Sequence, residues 1–80
     1  MRIRLLLFAS YAEALGRDEI LLDLPAGATA GDALATVRSR PGAERLPPKP
    51  MLAVNQRYAK ADAVLAEGDE VALIPPVAGG

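Results

Sequence analysis

The 80-residue chain has no cysteine, no histidine and no tryptophan. Without cysteine there is no disulfide, no thiolate nucleophile, no Cys-ligated zinc and no persulfide on a side chain. Without histidine, the commonest general base near neutral pH is missing. A surplus of one charge is lacking too. Nine Lys and Arg against ten Asp and Glu leave a formal charge of -1, so the cations that a nucleic-acid binder uses to displace counterions are not there. Long apolar runs are absent as well. Leu5-Leu6-Leu7-Phe8 falls far below the ~20 residues that cross a bilayer and is too short for a signal-peptide core. These absences imply a cytoplasmic protein with neither nucleic acid nor membrane as partner. They also make a self-sufficient enzyme a poor description of the chain.

What is present describes one small folded domain. Hydrophobic residues make up 51% and charged ones 24%, the balance of an ordinary globular chain rather than a disordered one. A domain of this length buries about two-thirds or less of the surface its unfolded form exposes. That leaves room for one sheet and a helix or two, with little left for a deep pocket.

Arg2-Ile3-Arg4-Leu5 alternates polar and apolar, then Leu6-Leu7-Phe8 is apolar on both faces, as in a strand entering the middle of a sheet. Ser10 followed by Glu13 is a capping-box pattern, and Gly16 suits the end of a short helical turn. Glu19 to Leu24 predicts a second strand with Ile20, Leu22 and Leu24 on one face, broken by Pro25-Ala26-Gly27. Thr29 with Asp32 opens the main helix, where Ala30, Ala33, Leu34 and Val37 recur at helical spacing. Arg38 and Arg40 fall where cations favour the helix dipole, and Pro41-Gly42 is the expected stop.

One more turn is expected at Glu44-Arg45-Leu46, before the stiff Pro47-Pro48-Lys49-Pro50 connector. Met51 to Val54 predicts a third strand. Asn55-Gln56 turns it into a short edge strand, Arg57-Tyr58-Ala59. Asp62 to Leu65 reads as a buried turn, and Glu70 to Ile74 as the last strand, ended by Pro75-Pro76 because proline cannot donate to a ladder. With no internal repeat, the pattern is α+β: a single domain over 1–74 with one sheet gripping one helix, and an extended tail over 75–80.

The tail ends in Gly79-Gly80. Two glycines leave a backbone carboxylate with no side chain beside it, at the end of a tether. A frayed terminus is the bland reading. The chemical reading is that Gly80 is the chain's covalent handle, since the side chains offer none. Glycine loses more freedom on ordering than any other residue, so two in a row call for a steric reason. A passage too narrow for a Cβ supplies one. Six residues from Pro75 to Gly80, fully extended, span about 20 Å. Pro75 and Pro76 fix φ for the first third of that length.

The order of elements, with Asp69-Glu70-Val71-Ala72-Leu73-Ile74-Pro75-Pro76-Val77-Ala78-Gly79-Gly80 at the end, resembles the ubiquitin-like β-grasp sulfur carriers. Within them it is most similar to the small subunits of molybdopterin synthase. Leu6-Leu7-Phe8-Ala9 with Glu13 and Gly16, Ala26-Gly27-Ala28-Thr29, and Ala53-Val54-Asn55 match as well. Ala78 stands where Ser or Thr is frequent, and Gln56 where Gly often follows Asn.

The resemblance implies a mixed sheet with its first and last strands parallel at the centre. It also implies a sulfur-donor role in molybdenum cofactor biosynthesis. There a ubiquitin-activating-like adenylyltransferase spends ATP on the terminal glycine, and a separate sulfur donor protein converts that glycine to a thiocarboxylate. No cofactor is bound. The tail, Pro75, Pro76, Val77, Ala78 and Gly79 leading to Gly80, then threads into the synthase large subunit, which holds the catalytic pocket. The assembly implied is a heterotetramer of two small and two large subunits, and the acceptor is cyclic pyranopterin monophosphate.

If the first and last strands run parallel, Phe8 and Ile74 lie near one end of the sheet, beside the root of the tail. Phe8 is then either plain core or part of a docking patch. The family's partner contact falls in this area, and Tyr58 corresponds to another apolar contact position. Other features are weaker. Arg38, Arg40 and Arg45 read as a phosphate patch or as helix-end cations, Lys49 and Lys60 as attachment sites or ordinary surface lysines, and Asp18-Glu19 and Asp69-Glu70 as turn residues or contacts for a basic enzyme. Carriers for thiamine or tRNA thiolation, ubiquitin-like protein modifiers, and a plain interaction module with an idle tail remain the alternatives.

Overall fold

In the computed structural model, residues 1–76 are described. They form five strands, β1 (Arg2–Leu7), β2 (Glu19–Asp23), β3 (Met51–Val54), β4 (Arg57–Ala59) and β5 (Glu70–Ile74). Two helices, α1 (Ala9–Leu15) and α2 (Ala30–Val37), and a 3-10 turn at Ala43–Arg45 complete the set. The sheet order is β2-β1-β5-β3-β4. β1 and β5 pair in parallel, Leu5 opposite Val71 and Leu7 opposite Leu73, while every other pairing is antiparallel. This is the mixed α+β sheet expected from the sequence, with the first and last strands inside it.

Alternation decides which face is covered. Ile3, Leu5 and Leu7 are buried together with Ile20, Leu22, Val71 and Leu73, and α2 packs Ala30, Ala33 and Val37 onto the same core. Each large aliphatic side chain taken fully out of water contributes about 1.5–3 kcal/mol. The small alanines let the short helix sit close to the sheet. Its start is fixed by a capping box, in which Thr29 Oγ1 accepts from the Asp32 N–H and Asp32 Oδ2 accepts from the Thr29 N–H.

Several local expectations fail, each for a physical reason. Ser10 does not cap α1. The cap is Phe8, whose carbonyl accepts from the N–H groups of Tyr11 and Ala12, because the helix begins at once where β1 ends and Ser10 already lies inside it. Gly16 does close α1, with φ +71 and its N–H on the Ala12 carbonyl. The main helix stops at Val37, before Pro41-Gly42. Proline disfavours helical backbone in the residue before it, and the chain tightens first, the Arg40 N–H reaching the Val37 carbonyl. The extra turn falls on Ala43–Arg45, with Leu46 as its cap.

Gly42 (φ +92) packs so closely on the Ala14 carbonyl that a Cβ there would lie 2.0 Å from the oxygen. The turn at Asp62–Leu65 is buried only at Leu65, while Val64 is 70% exposed. Its backbone instead forms a bridge with Thr29.

Candidate functional site

The face of the sheet away from α2 carries the sequence-predicted patch. Pairing registers place Glu19, Leu6, Ala72, Ala53 and Tyr58 in one row across all five strands. The two central members are alanines, so the row sinks in its middle. The resulting open depression, of about 480 Å³, is rimmed by Phe8, Tyr58 and Ile74 and floored by Leu6, Ala53 and Ala72. Phe8 is 47% exposed and Tyr58 73% exposed. Phe8 is therefore not core. The structure brings Phe8, Tyr58 and Ile74 around one hollow at the end of β5 from which the tail departs.

Beside this apolar area the same face is charged. Arg4 donates to Glu19 Oε2 from both Nε (3.2 Å) and Nη2 (2.9 Å), and its Nη1 lies 3.5 Å from Glu70 Oε1. The Glu19 hydrogen bond, and then its charge, raise the guanidinium pKa above its ordinary value. The Arg4 charge is thus fixed and already shared between two carboxylates. Such exposed pairs add little to stability, so their larger effect is to set a charged border along the hollow.

The β3–β4 turn locks the last strand in register. Asn55 and Gln56 both take positive φ, +51 and +70, the geometry of the tight hairpin turns that match strand twist. The Asn55 N–H donates to the Glu70 carbonyl, and Asn55 Oδ1 accepts from the Glu70 N–H at 3.0 Å. Asn55 Nδ2 donates to Asp69 Oδ1 at 2.9 Å, while Asp69 Oδ2 accepts from the Ala66 N–H at 2.7 Å. These bonds, Asn55 first, hold the Asp69 carboxyl below its ordinary pKa.

Sequence reasoning placed Ala72 with Ile74 through strand alternation but missed Met51 and Ala53 as part of this face. Their signal lay in strand alternation on β3, read against the Met51–Ile74 and Ala53–Ala72 pairs. Pro75 and Pro76 follow β5 without secondary structure, and Val77, Ala78, Gly79 and Gly80 lie outside the described residues. Among the described residues, no group of three or more Asp or Glu side chains is placed to hold a metal ion.

A model described as the ThiS family matches residues 5–80. The chain belongs to that family. Molybdopterin synthase sulfur carrier subunits match the whole of this ThiS-family chain. That of Chlamydomonas reinhardtii is 36% identical over 83 residues, covering 100% of both proteins. That of Arabidopsis thaliana is 35% identical over 81 residues, covering 100% of this chain and 84% of the other.

Among solved structures, the small archaeal modifier protein 1 of Haloferax volcanii is 34% identical, with a TM-score of 0.82 over 95% of this chain and 98% of that one. A complex of subunits 1 and 2 of molybdopterin-converting factor from Helicobacter pylori contains a chain with the same fold. Its TM-score is 0.76 at 18% identity, covering 100% of each chain. The ThiS-family chain thus has the β-grasp fold that its sequence suggested.

Proposed function

We propose that this protein is the sulfur carrier subunit of a cytoplasmic molybdopterin synthase, a carrier that does no chemistry until partners act on its tail. The observation that carries the reading is the full-length match to curated sulfur carrier subunits, on a chain whose own side chains include no cysteine or histidine. A carboxylate is a poor acyl donor because its charge is delocalised and its leaving group is oxide. In the reading, a Gly80 carboxylate oxygen attacks the α-phosphorus of ATP on an adenylating enzyme, and pyrophosphate leaves. A hydrosulfide equivalent from a donor protein then attacks the acyl carbon, AMP leaves, and the thiocarboxylate remains. Holding that sulfur on a tether turns its delivery into a local event at high effective concentration.

The apolar hollow supports a docking role. Phe8, Tyr58 and Ile74 form an exposed apolar cluster with a charged border, the anatomy of a protein interface rather than of a solvent-facing sheet. The partner proposed for it is the synthase large subunit, and the Helicobacter pylori protein of the same fold was solved with its second subunit. A heterotetramer of two carriers and two large subunits belongs to the same proposal.

The test is reconstitution. Carrier loaded with sulfur, mixed with the synthase large subunit and cyclic pyranopterin monophosphate, is expected to yield molybdopterin. Carrier lacking Gly79-Gly80 is expected to yield none, and full-speed synthesis with the truncated chain would overturn the reading. A second reading, conjugation of Gly80 to target lysines, is favoured by the likeness to an archaeal modifier protein. It predicts isopeptide-linked ladders detected through the tail.

A further inference from the structure

Pro47, Pro48 and Pro50 have no N–H, so the connector between the 3-10 turn and β3 is short of backbone donors with which to fix itself. Arg38, the C-cap residue of α2, supplies the tie. One of its guanidinium nitrogens, Nη2, donates to the carbonyls of both Pro47 and Pro48, the second at 2.8 Å. A charged donor makes such bonds stronger than neutral ones. An arginine present only to complement the helix dipole would have no need of these two acceptors.

The connector held in this way forms one wall of a cleft of about 210 Å³. Tyr11, Pro50, Met51, Ile74 and Pro76 line it together with Pro47. Tyr11 and Pro50 are buried, and Pro76 is exposed. Ile74 and Pro76, at the end of β5 and just beyond it, thus share this cleft with the connector.

We infer that Arg38 is a positioning residue for the tail: by latching the Pro47–Pro50 connector it fixes the wall along which Pro75-Pro76 leave the domain, and hence the point from which the tail is offered. The inference rests on the sulfur-carrier reading. Four residues drawn out beyond Pro76 reach at most about 13 Å. Misplacement of reacting atoms by about 1 Å can cost a reaction ~100-fold. A tail that must find a narrow passage gains from a root that is already in place.

The test compares the full-length parent with Arg38→Ala, Arg38→Lys and, as control, Arg45→Ala on the exposed 3-10 turn. Methyl spectra read the geometry without any enzyme. The Met51 and Ile74 signals are expected to shift in Arg38→Ala and to stay in place in Arg45→Ala. Loading with an adenylating enzyme, ATP and sulfide over a range of carrier concentrations reads the function. In Arg38→Ala, kcat falls about tenfold while KM for the carrier stays within about twofold, and Arg38→Lys restores most of the rate.

Unchanged methyl signals, a parental kcat, or a rise in KM alone would overturn the inference. If the parent itself fails to load, the sulfur-carrier reading falls, while the methyl spectra still judge the latch. Should Arg38→Ala not fold, Pro48→Gly loosens the same connector with Arg38 in place, and the same loss of kcat is required of it.

Discussion

At the residue scale, the proposed function rests most on the Gly79-Gly80 pair and on Phe8, which are legible to different degrees. The Gly79-Gly80 pair is visible in the sequence because the chain has no cysteine or histidine to compete with it as a covalent handle. Its steric argument makes a direct prediction. Gly80→Ala should leave the melting temperature unchanged, since the buried core is already complete within residues 1–76, yet slow adenylation or transfer by about tenfold or more if the passage excludes a Cβ. Equal single-turnover rates for variant and parent would remove the channel argument. Phe8 is ambiguous in the sequence, because its strand is apolar on both faces around Leu6-Leu7-Phe8. Only the fold shows it half exposed, at the rim of the hollow. Phe8→Asp is therefore expected to weaken partner binding by about 2 kcal/mol with the circular dichroism spectrum and unfolding midpoint preserved. Loss of the fold would return Phe8 to the core.

At the element scale, the strands and α2 are readable because period-2 and helical spacing are long signals, and because Thr29 with Asp32 marks its helix outright. The start of α1 and the end of α2 are not, because a helix terminus depends on the path of the chain on either side of it. Ser10 looks like a cap only if one ignores that β1 runs straight into the helix. The position of the Asn55-Gln56 turn is legible in the sequence, but its conformational cost is not. Gln56 at φ +70 holds a conformation that favours glycine, so Gln56→Gly should stabilise the domain by about 0.5–1 kcal/mol, measured as a higher denaturant midpoint.

The lock beside that turn is pH-sensitive. The folded Asp69 pKa lies below its ordinary 3.8. Its contribution is therefore complete above pH 3.8 and lost as the pH falls below that value through the folded pKa. Thermal unfolding at graded pH should show a shallower acid-side decline in Asp69→Ala than in the parent. An unchanged slope would mean that the Asn55 and Ala66 bonds do not act on this carboxyl.

At the scale of the whole molecule, the parallel pairing of β1 with β5 connects these parts. It brings the end of the first strand, Phe8, beside the end of the last, Ile74, where the tail starts. The Ala53–Ala72 pair hollows the same face, and Arg38 ties the connector that borders the tail root on another side. The sequence could indicate the first of these through the family resemblance. The hollow and the latch depend on register and on contacts between residues far apart in the chain, Arg38 with Pro47 and Ala53 with Ala72, and no local pattern announces either.

In the proposed reading, the domain is a base and docking surface for a short reactive end. Intact mass after incubation with an adenylating enzyme, ATP and a sulfide source tests this most directly. Exchange of one oxygen for sulfur, mapped by fragmentation to Gly80, is the result expected. A mass that never changes, under conditions where the same enzyme loads its own carrier, would contradict it.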